Sequence, residues 1–431
     1  MLRKLALSLV VSASFAGAAQ AQGLSPAEQR ITGEVKAWQP QAIALLERSA
    51  RINSGTMNLA GVRAAGDVFR AELDKLGFKT SWIAMPKEMG RAGHLMATRT
   101  GTKGKRLLLL GHLDTVFEQN ATSPLWQREG DSARGQGVSD MKGGNVIVIA
   151  ALRALQQAGA LDGATISILF TGDEEEAGYP REVSRRDMVE LAKRSDIALS
   201  FEAALGKEGQ PMATVGRRAT ASFDLDVSGR QGHSMSVFGV NGYGAVYEAA
   251  RILDGFRREV AEPGLTFNPG VILGGTDLAF DEANSSGTVA GKTNVIANRV
   301  VVRGDLRYLD YAQRDRAQAR MRAIVDQHLP GADAKITFRD SYPPMAVTPG
   351  NMKLLAQYSQ ASQDAGLGAV GMVPPESRGA GDIRFVAPLI DSLDGLGAGG
   401  SGAHGPDERV DLKSLESSAI RAALLIYRLT R

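Results

Sequence analysis

Residues 106–116 read Arg-Leu-Leu-Leu-Leu-Gly-His-Leu-Asp-Thr-Val, and the fold can be worked out from this stretch. The aliphatic run Leu107–Leu110 ends in a glycine, a pattern typical of a strand that is buried on both faces of a parallel sheet. The carboxyl ends of parallel strands point into the ligand crevice of such a sheet. His112 and Asp114 follow this strand directly, so the sequence places a histidine and a carboxylate where ligands bind.

The segments around this strand alternate between helix and strand. A helical pattern covers Gln29 to Gly77, a second begins at Gly143 and ends near Gly159, and a buried-strand pattern follows from Thr165 to Thr171. This rhythm predicts an α/β sheet with helices on both sides.

A different pattern lies between about Gly216 and residue 339. Strand, helix, strand, strand, helix and strand are predicted near residues 223–227, 242–260, 265–273, 299–308, 311–329 and 334–338. This order is that of a ferredoxin-like α+β unit. We therefore expect a catalytic domain in two pieces (22–215 and 340–431) with a smaller domain (216–339) inserted between them.

The N-terminus has the composition of a secretory signal peptide, predicted here as residues 1–21. A basic start (Arg3, Lys4) precedes an apolar stretch from Leu5 to Ala19, and an Ala-x-Ala site ends at Ala21. The stretch is too short to span a bilayer and ends in small residues, which argues against an uncleaved anchor. We expect export to the periplasm or secretion. Because no later apolar run is long enough for a transmembrane helix, no membrane partner is expected after cleavage.

Composition excludes several classes of function. Loss of Arg3 and Lys4 with the signal peptide lowers the formal net charge from +3 to +1, so there is no electrostatic basis for binding nucleic acid. The chain has no cysteine, which excludes disulfides, thiolate metal ligands and a cysteine nucleophile. Any metal ion must therefore be held by histidine and carboxylate side chains.

Two acidic segments are candidates for such ligands. Asp140 lies in the run Gly-Val-Ser-Asp-Met-Lys-Gly-Gly (137–144), where capping of the next helix would explain the aspartate but not the two glycines. Glu174 and Glu175 belong to an acidic run directly after the strand that ends at Thr171. Acidic runs are usually solvated loops. At the mouth of a buried strand they can instead supply a metal ligand and a general base.

Two further candidates come later in the chain. Glu202 ends the predicted strand 197–201, so it is another carboxylate at a strand terminus. His404 lies in the glycine-rich loop 399–405, whose backbone can approach a site closely. The run Gly397 to Gly402 matches a dinucleotide-binding fingerprint letter for letter, but the helix that the fingerprint requires does not follow, so we discard it.

Together these segments resemble the co-catalytic zinc aminoacylase/carboxypeptidase superfamily, most closely its glutamate carboxypeptidase (carboxypeptidase G-like) branch. The resemblance is carried by His-x-Asp (112–114), Ser-Asp-Met-Lys-Gly-Gly (139–144), Asp-Glu-Glu (173–175), Phe-Glu (201–202) and Gly-x-His (402–404). It runs from about residue 30 to the C-terminus. It implies a zinc-peptidase-like α/β catalytic domain with a mixed sheet flanked by helices, and an inserted ferredoxin-like domain that acts as a lid and in dimerisation.

The resemblance also implies a site for two divalent metal ions. The expected ligands are His112 and Glu202 for one ion, Glu175 and His404 for the other, and Asp140 as a bridge between them. Asp114 would orient His112, Glu174 would be the general base, and the peptide bond after Asp140 would be cis. Zinc is the expected metal, although this set of oxygen and nitrogen ligands also suits manganese, cobalt or nickel.

Substrate-binding residues are implied as well. His233 would stabilise the oxyanion, often in the active site of a partner subunit, and a homodimer through the inserted domain is expected by resemblance alone. Asn294 and Arg307 match positions that hold the substrate's carboxylate, for which a guanidinium is suited. Arg378 is a weaker substrate-binding candidate, since it could equally pair with Asp382.

The sequence therefore predicts an exported metallo-carboxypeptidase that releases a C-terminal amino acid, such as glutamate, from a small peptide or N-acyl amino acid. An aminoacylase or dipeptidase on the same scaffold is the alternative. The segment from Gly274 to Lys292 is longer than glutamate carboxypeptidases need, which leaves the glutamate preference open. A non-catalytic binding protein is disfavoured because Glu174 and every expected metal ligand are in place.

Overall fold

The computed structural model describes residues 23–207, 209–379 and 381–431, so the predicted signal peptide lies outside the described residues. The described part contains ten α-helices: α1 (Pro26–Ala37), α2 (Gln39–Ala50), α3 (Leu59–Lys75), α4 (Lys142–Gln157), α5 (Arg181–Ser184), α6 (Arg186–Ala192), α7 (Gly244–Glu259), α8 (Tyr311–Val325), α9 (Pro349–Asp364) and α10 (Leu412–Leu429). None of these described helices has the length and apolar character that a bilayer span needs.

The same residues form nineteen strands, most of them short. They are β1 (Lys79–Ile83), β2 (His94–Arg99), β3 (Lys103–His112), β4 (Trp126–Glu129), β5 (Ser132–Gly135), β6 (Ala164–Thr171), β7 (Ile197–Ser200), β8 (Leu205–Lys207), β9 (Gln210–Ala213), β10 (Ala219–Gly229), β11 (Thr266–Gly275), β12 (Asp277–Asp281), β13 (Ser286–Ala290), β14 (Arg299–Tyr308), β15 (Ala332–Tyr342), β16 (Gly371–Met372), β17 (Asp391–Leu393), β18 (Gly400–Ser401) and β19 (Arg409–Asp411).

A six-stranded mixed sheet forms the centre of the larger domain. Its order is β1-β2-β6-β3-β7-β17, with β6, β3, β7 and β17 parallel and β1 and β2 added antiparallel at one edge. Leu107 and Leu109 of β3 pack into the core that contains the long helices α4 and α10. Leu108 and Leu110 pack on the other face, against α6 and residues near 385. The central strand is therefore buried on both faces, as its aliphatic run predicts.

The inserted unit is an antiparallel sheet with two helices. Its strands lie in the order β11-β14-β10-β15, and α7 and α8 pack on one face around Phe223, Ile252 and Met321. This is the predicted ferredoxin-like arrangement, and the fold class expected from the sequence is confirmed as α/β with an inserted α+β unit. The β12–β13 hairpin occupies the long segment between β11 and β14.

Some predicted elements differ in detail. The helical pattern from Gln29 to Gly77 is three helices, because a cap at Trp38 separates α1 from α2 and a loop at 51–58 precedes α3. The strands β1 and β2 were not predicted. His94, which begins β2, is fully buried, and its ring bonds the Ser184 carbonyl and the Gly172 amide, so it has a structural role.

Candidate metal centre

The ends of three parallel strands bring the predicted ligands to one edge of the sheet. In the strand register, His112 at the end of β3 lies beside Thr171 at the end of β6, and Leu110 lies beside Ser200 at the end of β7. The residues that follow β6 and β7, including Glu175 and Glu202, therefore leave the sheet next to His112. The geometry follows from parallel pairing, since parallel strands end at the same edge.

Five side chains form two clusters that share Asp140. In the first, Nε2 of His112 lies 3.2 Å from Oδ1 of Asp140 and 3.7 Å from Oε1 of Glu202. In the second, Nε2 of His404 lies 3.2 Å from Oδ2 of Asp140 and 3.2 Å from Oε2 of Glu175. In each cluster the candidate ligand atoms lie within 4.8 Å of one another. Asp140 thus turns one oxygen to each cluster, which is the arrangement that a bridging ligand needs.

Asp114 ties the first cluster to the general-base candidate. Nδ1 of His112 lies 3.0 Å from the backbone carbonyl of Asp114 and 3.6 Å from its carboxylate. That carboxylate accepts hydrogen bonds from the backbone amides of Glu174 and Glu175 at 3.0 and 3.1 Å, and from the Thr56 hydroxyl. Asp114 therefore contacts the histidine ring through its backbone carbonyl and fixes the backbone that carries Glu174 through its buried carboxylate.

The acidic run after β6 divides its side chains between different tasks. Asp173 turns inward, where it pairs with Arg185 and accepts hydrogen bonds from Ser184 and the Gly178 amide. Glu176 turns outward to Arg91. Glu174 and Glu175, which lie between Asp173 and Glu176 in the chain, line the cavity. A solvated acidic loop would not show this alternation, so the functional interpretation of the run is the one that the geometry supports.

The backbone around Asp140 holds its side chain towards the histidines. The N-cap of α4 is Met141 and makes no side-chain capping bond, so the cap interpretation of Asp140 is wrong. The Asp140–Met141 peptide bond is cis, as the resemblance implied. A Cβ at Gly144 would lie 1.9 Å from the Phe201 carbonyl oxygen. A glycine is therefore needed at this position, because the start of α4 packs directly against the residue before Glu202.

Burial and mutual repulsion perturb the carboxylates of the site. Burial, followed by the charge of Glu202, raises the pKa of Glu174 well above its ordinary value. Burial, followed by the charge of Asp140, raises the pKa of Glu202 to about 8. The hydrogen bonds that His404 makes with Asp140 and Glu175 raise the pKa of the imidazole to about 11. A cluster of buried acids with like charges is stable only when cations or protons balance it.

These residues fit a pair of divalent cations. Three carboxylates and two imidazoles are the hard and borderline ligands that zinc, manganese, cobalt and nickel accept. Oε1 of Glu175 is buried and makes no hydrogen bond within the described residues, so it has unused capacity to bind a cation. His404 lies on a loop between β18 and β19 with φ of +65°, a conformation uncommon outside glycine that aims its ring at the cluster.

Glu408 is a positioning residue that the sequence analysis missed. Its buried carboxylate accepts hydrogen bonds from the backbone amides of Gly137, Ser139 and Asp140 at 3.0, 2.7 and 3.0 Å, and from the Ser139 hydroxyl at 3.0 Å. It therefore holds the loop that presents the shared aspartate. Within Pro-Asp-Glu-Arg (406–409) it reads as part of a solvated turn, and no spacing marks it as buried.

The cavity beside the clusters has a volume of about 370 Å³. Its described lining residues are Asp140, Glu174, Glu175, Glu202, Ala203, Leu205, Arg217, Tyr342, Arg378, Gly379, Ala403 and His404. Arg378 lies at the cavity, and its substrate-binding role stays a prediction. Its alternative role is wrong, because Asp382 pairs with Arg185 and accepts a hydrogen bond from Thr171 instead. Arg217 and Tyr342 were not predicted.

Three predicted substrate-binding residues lie on the inserted unit, away from this described lining. His233 is exposed, and its Nδ1 accepts a hydrogen bond from the backbone amide of Met235. Asn294 is exposed in the neighbouring segment and accepts a backbone hydrogen bond from Ser234. Arg307 pairs with Asp305 at 2.8 Å. None of these three side chains is among the described lining residues of the cavity, and their roles stay predictions.

Comparison with known proteins places this geometry in context. Residues 108–428 match the family model described as peptidase family M20/M25/M40. The chain is 30% identical over 402 residues to carboxypeptidase G2 of Pseudomonas sp. (strain RS-16), covering 90% of this chain and 89% of that protein. It is 29% identical over 369 residues to a succinyl-diaminopimelate desuccinylase of Xylella fastidiosa (strain 9a5c), covering 83% and 91%.

A solved structure shares the fold. The aminopeptidase PepT from Bacillus cereus ATCC 10987 superposes with a TM-score of 0.72 at 17% sequence identity, covering 91% of this chain and 99% of that chain. At this sequence identity the similarity shows a shared fold and nothing further.

Proposed function

This chain belongs to peptidase family M20/M25/M40 and is a metallopeptidase of that family, and we propose that it is a two-metal carboxypeptidase. It would cleave the amide bond next to a free carboxylate and release a C-terminal amino acid. The observation that carries the proposal is the pair of ligand clusters joined by Asp140. The similarity to carboxypeptidase G2 supports the direction of cleavage and glutamate as the first amino acid to test.

Each side chain of the site has a defined task in this mechanism. His112 with Glu202, and Glu175 with His404, would hold the two ions, with Asp140 between them. Divalent cations in such a pair lower the pKa of a water and polarise the scissile carbonyl. Glu174 lines the cavity and makes no ion pair within the described residues, so its carboxylate is free to take the proton from water and deliver it to the leaving amine.

Residues of the inserted unit would bind the α-carboxylate and the oxyanion of the substrate. We place the α-carboxylate of the released residue at Arg307 and Asn294, because a guanidinium and an amide together donate the planar set of hydrogen bonds that a carboxylate accepts. His233 would donate to the oxyanion, in the cavity of a partner copy. Since His233 is exposed in the single chain, this role requires the homodimer through the inserted unit that we also propose.

A second candidate function is an acylase. The desuccinylase of Xylella fastidiosa removes an acyl group by its name, and its similarity to this chain covers nearly as much sequence. Amide hydrolysis at the metal site would be the same, and only the pocket would differ. Export through the N-terminal segment is part of the proposal, as is zinc as the resident metal.

The experiment compares the wild type with Glu174→Gln. The purified protein is analysed for metal content and assayed on substrates with C-terminal glutamate, C-terminal alanine and N-succinyl groups. We expect about two metals per chain in both proteins, with activity lost by about 10²–10⁴-fold in the variant. Glu176→Gln is the matched control, because its side chain lies in the same acidic run but points outward to Arg91. Equal activity of Glu174→Gln and the wild type would overturn the mechanism.

A further inference from the structure

Arginine side chains surround Tyr342, a residue that lines the cavity. The guanidinium carbons of Arg181 and Arg384 lie 4.2 and 4.9 Å from the centroid of its ring. Arg217 and Arg378 line the same cavity, and Arg217 forms an ion pair with Asp394. One wall of an otherwise acidic cavity is therefore rich in positive charge.

Two of these arginines have no carboxylate partner among the described residues. Arg378 makes neither an ion pair nor a side-chain hydrogen bond there, although its Nε is buried. Arg384 is 1% exposed and donates from Nη1 to the backbone carbonyl of Arg218, while its Nε and Nη2 make no hydrogen bond within the same part of the chain. A partly buried guanidinium without a counter-ion, such as that of Arg378, is available to pair with a carboxylate from outside the chain.

The electrostatics agree with this geometry. Burial, followed by the charge of Arg217, lowers the pKa of Arg378 below its ordinary value. The same two causes lower the pKa of Arg384 to about 9. The carboxylates that act on Arg378 are Asp394, which pairs with Arg217, and Glu202 and Asp140, which belong to the ligand clusters. Among the described carboxylates, Glu174 also acts on Arg384, whereas the carboxylates that act on Arg378 all belong to the Arg217 pair or to the ligand clusters.

The position of the wall indicates which end of a substrate it contacts. In the sheet of the inserted unit, Thr220 pairs with Arg307 on one side and with Tyr342 on the other, so the α-carboxylate candidate Arg307 and the cavity residue Tyr342 lie at the same end of that sheet. Arg307 and the arginine wall are thus on the same side of the molecule. A second negative group bound at the wall would therefore belong to the released amino acid and not to the acyl part.

We propose that Arg378 is a specificity residue that binds the side-chain carboxylate of an acidic C-terminal residue, at the wall of the cavity that Arg217 and Tyr342 also line. This inference rests on the proposed carboxypeptidase function. The planar guanidinium of Arg378 donates two parallel hydrogen bonds to such a carboxylate, and it offers no acceptor to the amide of a glutamine. The cavity would thus favour glutamate over its neutral isostere.

The test measures kcat/KM on two matched N-acyl substrates, one ending in glutamate and the other in glutamine. For Arg378→Met we expect the glutamate-to-glutamine ratio to fall about 10- to 100-fold, with the loss confined to the glutamate substrate. Arg378→Lys keeps the positive charge but not the two parallel donors of the guanidinium, and should retain part of the preference for glutamate. Arg181→Met is the control: it removes a charge from the same tyrosine ring behind the cavity, and the ratio should stay within about 2-fold.

Two outcomes would overturn the proposal. The first is an equal loss on both substrates, or a drop in metal content, because Arg378 would then only balance the charge of the ligand clusters. The second is measured by calorimetry, as the binding of free glutamate and free glutamine to each protein. This measurement needs no hydrolysis of an amide. Equal binding of glutamate by Arg378→Met and the wild type removes the subsite, whereas weaker binding by the variant supports it whatever the reaction is.

Discussion

His112, at the carboxyl edge of the catalytic sheet, is 1% exposed and lies 3.2 Å from Asp140, whereas His233 on the inserted unit is exposed and contacts its own loop. Both are histidines that the resemblance assigns to one active site. His112 and the carboxylates that follow β6 and β7 are held by strands of a single sheet, whose register fixes their spacing. In our proposal, His233 and the other substrate-binding candidates of the inserted unit reach a cavity only when a second copy of the chain is present. The ligand clusters are brought together within one chain, whereas in our proposal the residues that bind the substrate are completed by assembly.

The largest expected effect is loss of activity when the metal centre of the catalytic sheet is disrupted. Removal of metal by a chelator, or His112→Ala, should lower kcat/KM by about 10³-fold or more, because the site then lacks the cation that polarises the substrate. Metal content by mass spectrometry should fall in parallel. His328→Ala is the control, since His328 lies on the inserted unit near Glu248 and Asp333. Full activity in chelator would show that the clusters do not hold a catalytic metal.

The next effect tests the inserted unit. His233→Ala should lower kcat by about 10²–10³-fold, as expected for loss of an oxyanion donor, while metal content stays unchanged. If the donor comes from a partner copy, mixing His233→Ala with Glu174→Gln should restore activity. With random pairing, half of the dimers are mixed and one of their two sites is complete, so about one quarter of wild-type activity should return.

Absence of any recovery on mixing, with both proteins shown to be dimers and to exchange subunits, would place His233 in its own chain's cavity. A monomer in sedimentation experiments would contradict the assembly itself. Either result would remove the contrast between ligand clusters formed within one chain and substrate-binding residues completed by a second copy.

The sequence anticipated the metal centre because its information is local. A buried strand followed by Gly-His-x-Asp has few structural solutions, and parallel strands carry their following residues to the same edge. Glu175 and Glu202 could thus be placed next to His112 without knowledge of any long-range contact, whereas Asp140 follows no strand of that sheet and was assigned by the resemblance. The resemblance added His404, which no strand register predicts, since its loop returns from the far end of the chain.

The sequence could not anticipate contacts that depend on packing between distant segments. Glu408 reads as a surface residue, yet its carboxylate is buried against a loop about 270 residues earlier. Arg217 and Tyr342 lie at the junctions of the inserted unit with the sheet, where hydrophobic periodicity carries no signal. The alternative that Arg378 pairs with Asp382 is wrong for the same reason, because the partner of Asp382 is Arg185, which comes from a segment that follows β6.

Glu408 gives the smallest expected effect and the sharpest test of preorganisation. Its Oε1 accepts the amides of Ser139 and Asp140 and the Ser139 hydroxyl, and its Oε2 accepts the amide of Gly137. Glu408→Ala leaves buried donors unpaired and should weaken metal binding about 10- to 100-fold, the usual range for a group that orients a ligand. Glu408→Gln keeps one acceptor oxygen and should lie between Glu408→Ala and the wild type, because three of the four bonds converge on a single oxygen.

Metal affinity measured by chelator competition separates this role from general destabilisation. A purely structural Glu408 would lower the melting temperature of both variants but leave the affinity of the folded protein unchanged. Arg134→Ala serves as the control, because Arg134 bonds the Pro406 carbonyl and Asp407 in the same loop without touching the Asp140 backbone. Loss of affinity in Glu408→Ala with recovery in Glu408→Gln, and none in the control, would mean that the shared ligand is held in place before any ion arrives. The catalytic edge would then owe its order to contacts within one chain, whereas the role proposed for His233 depends on a second copy.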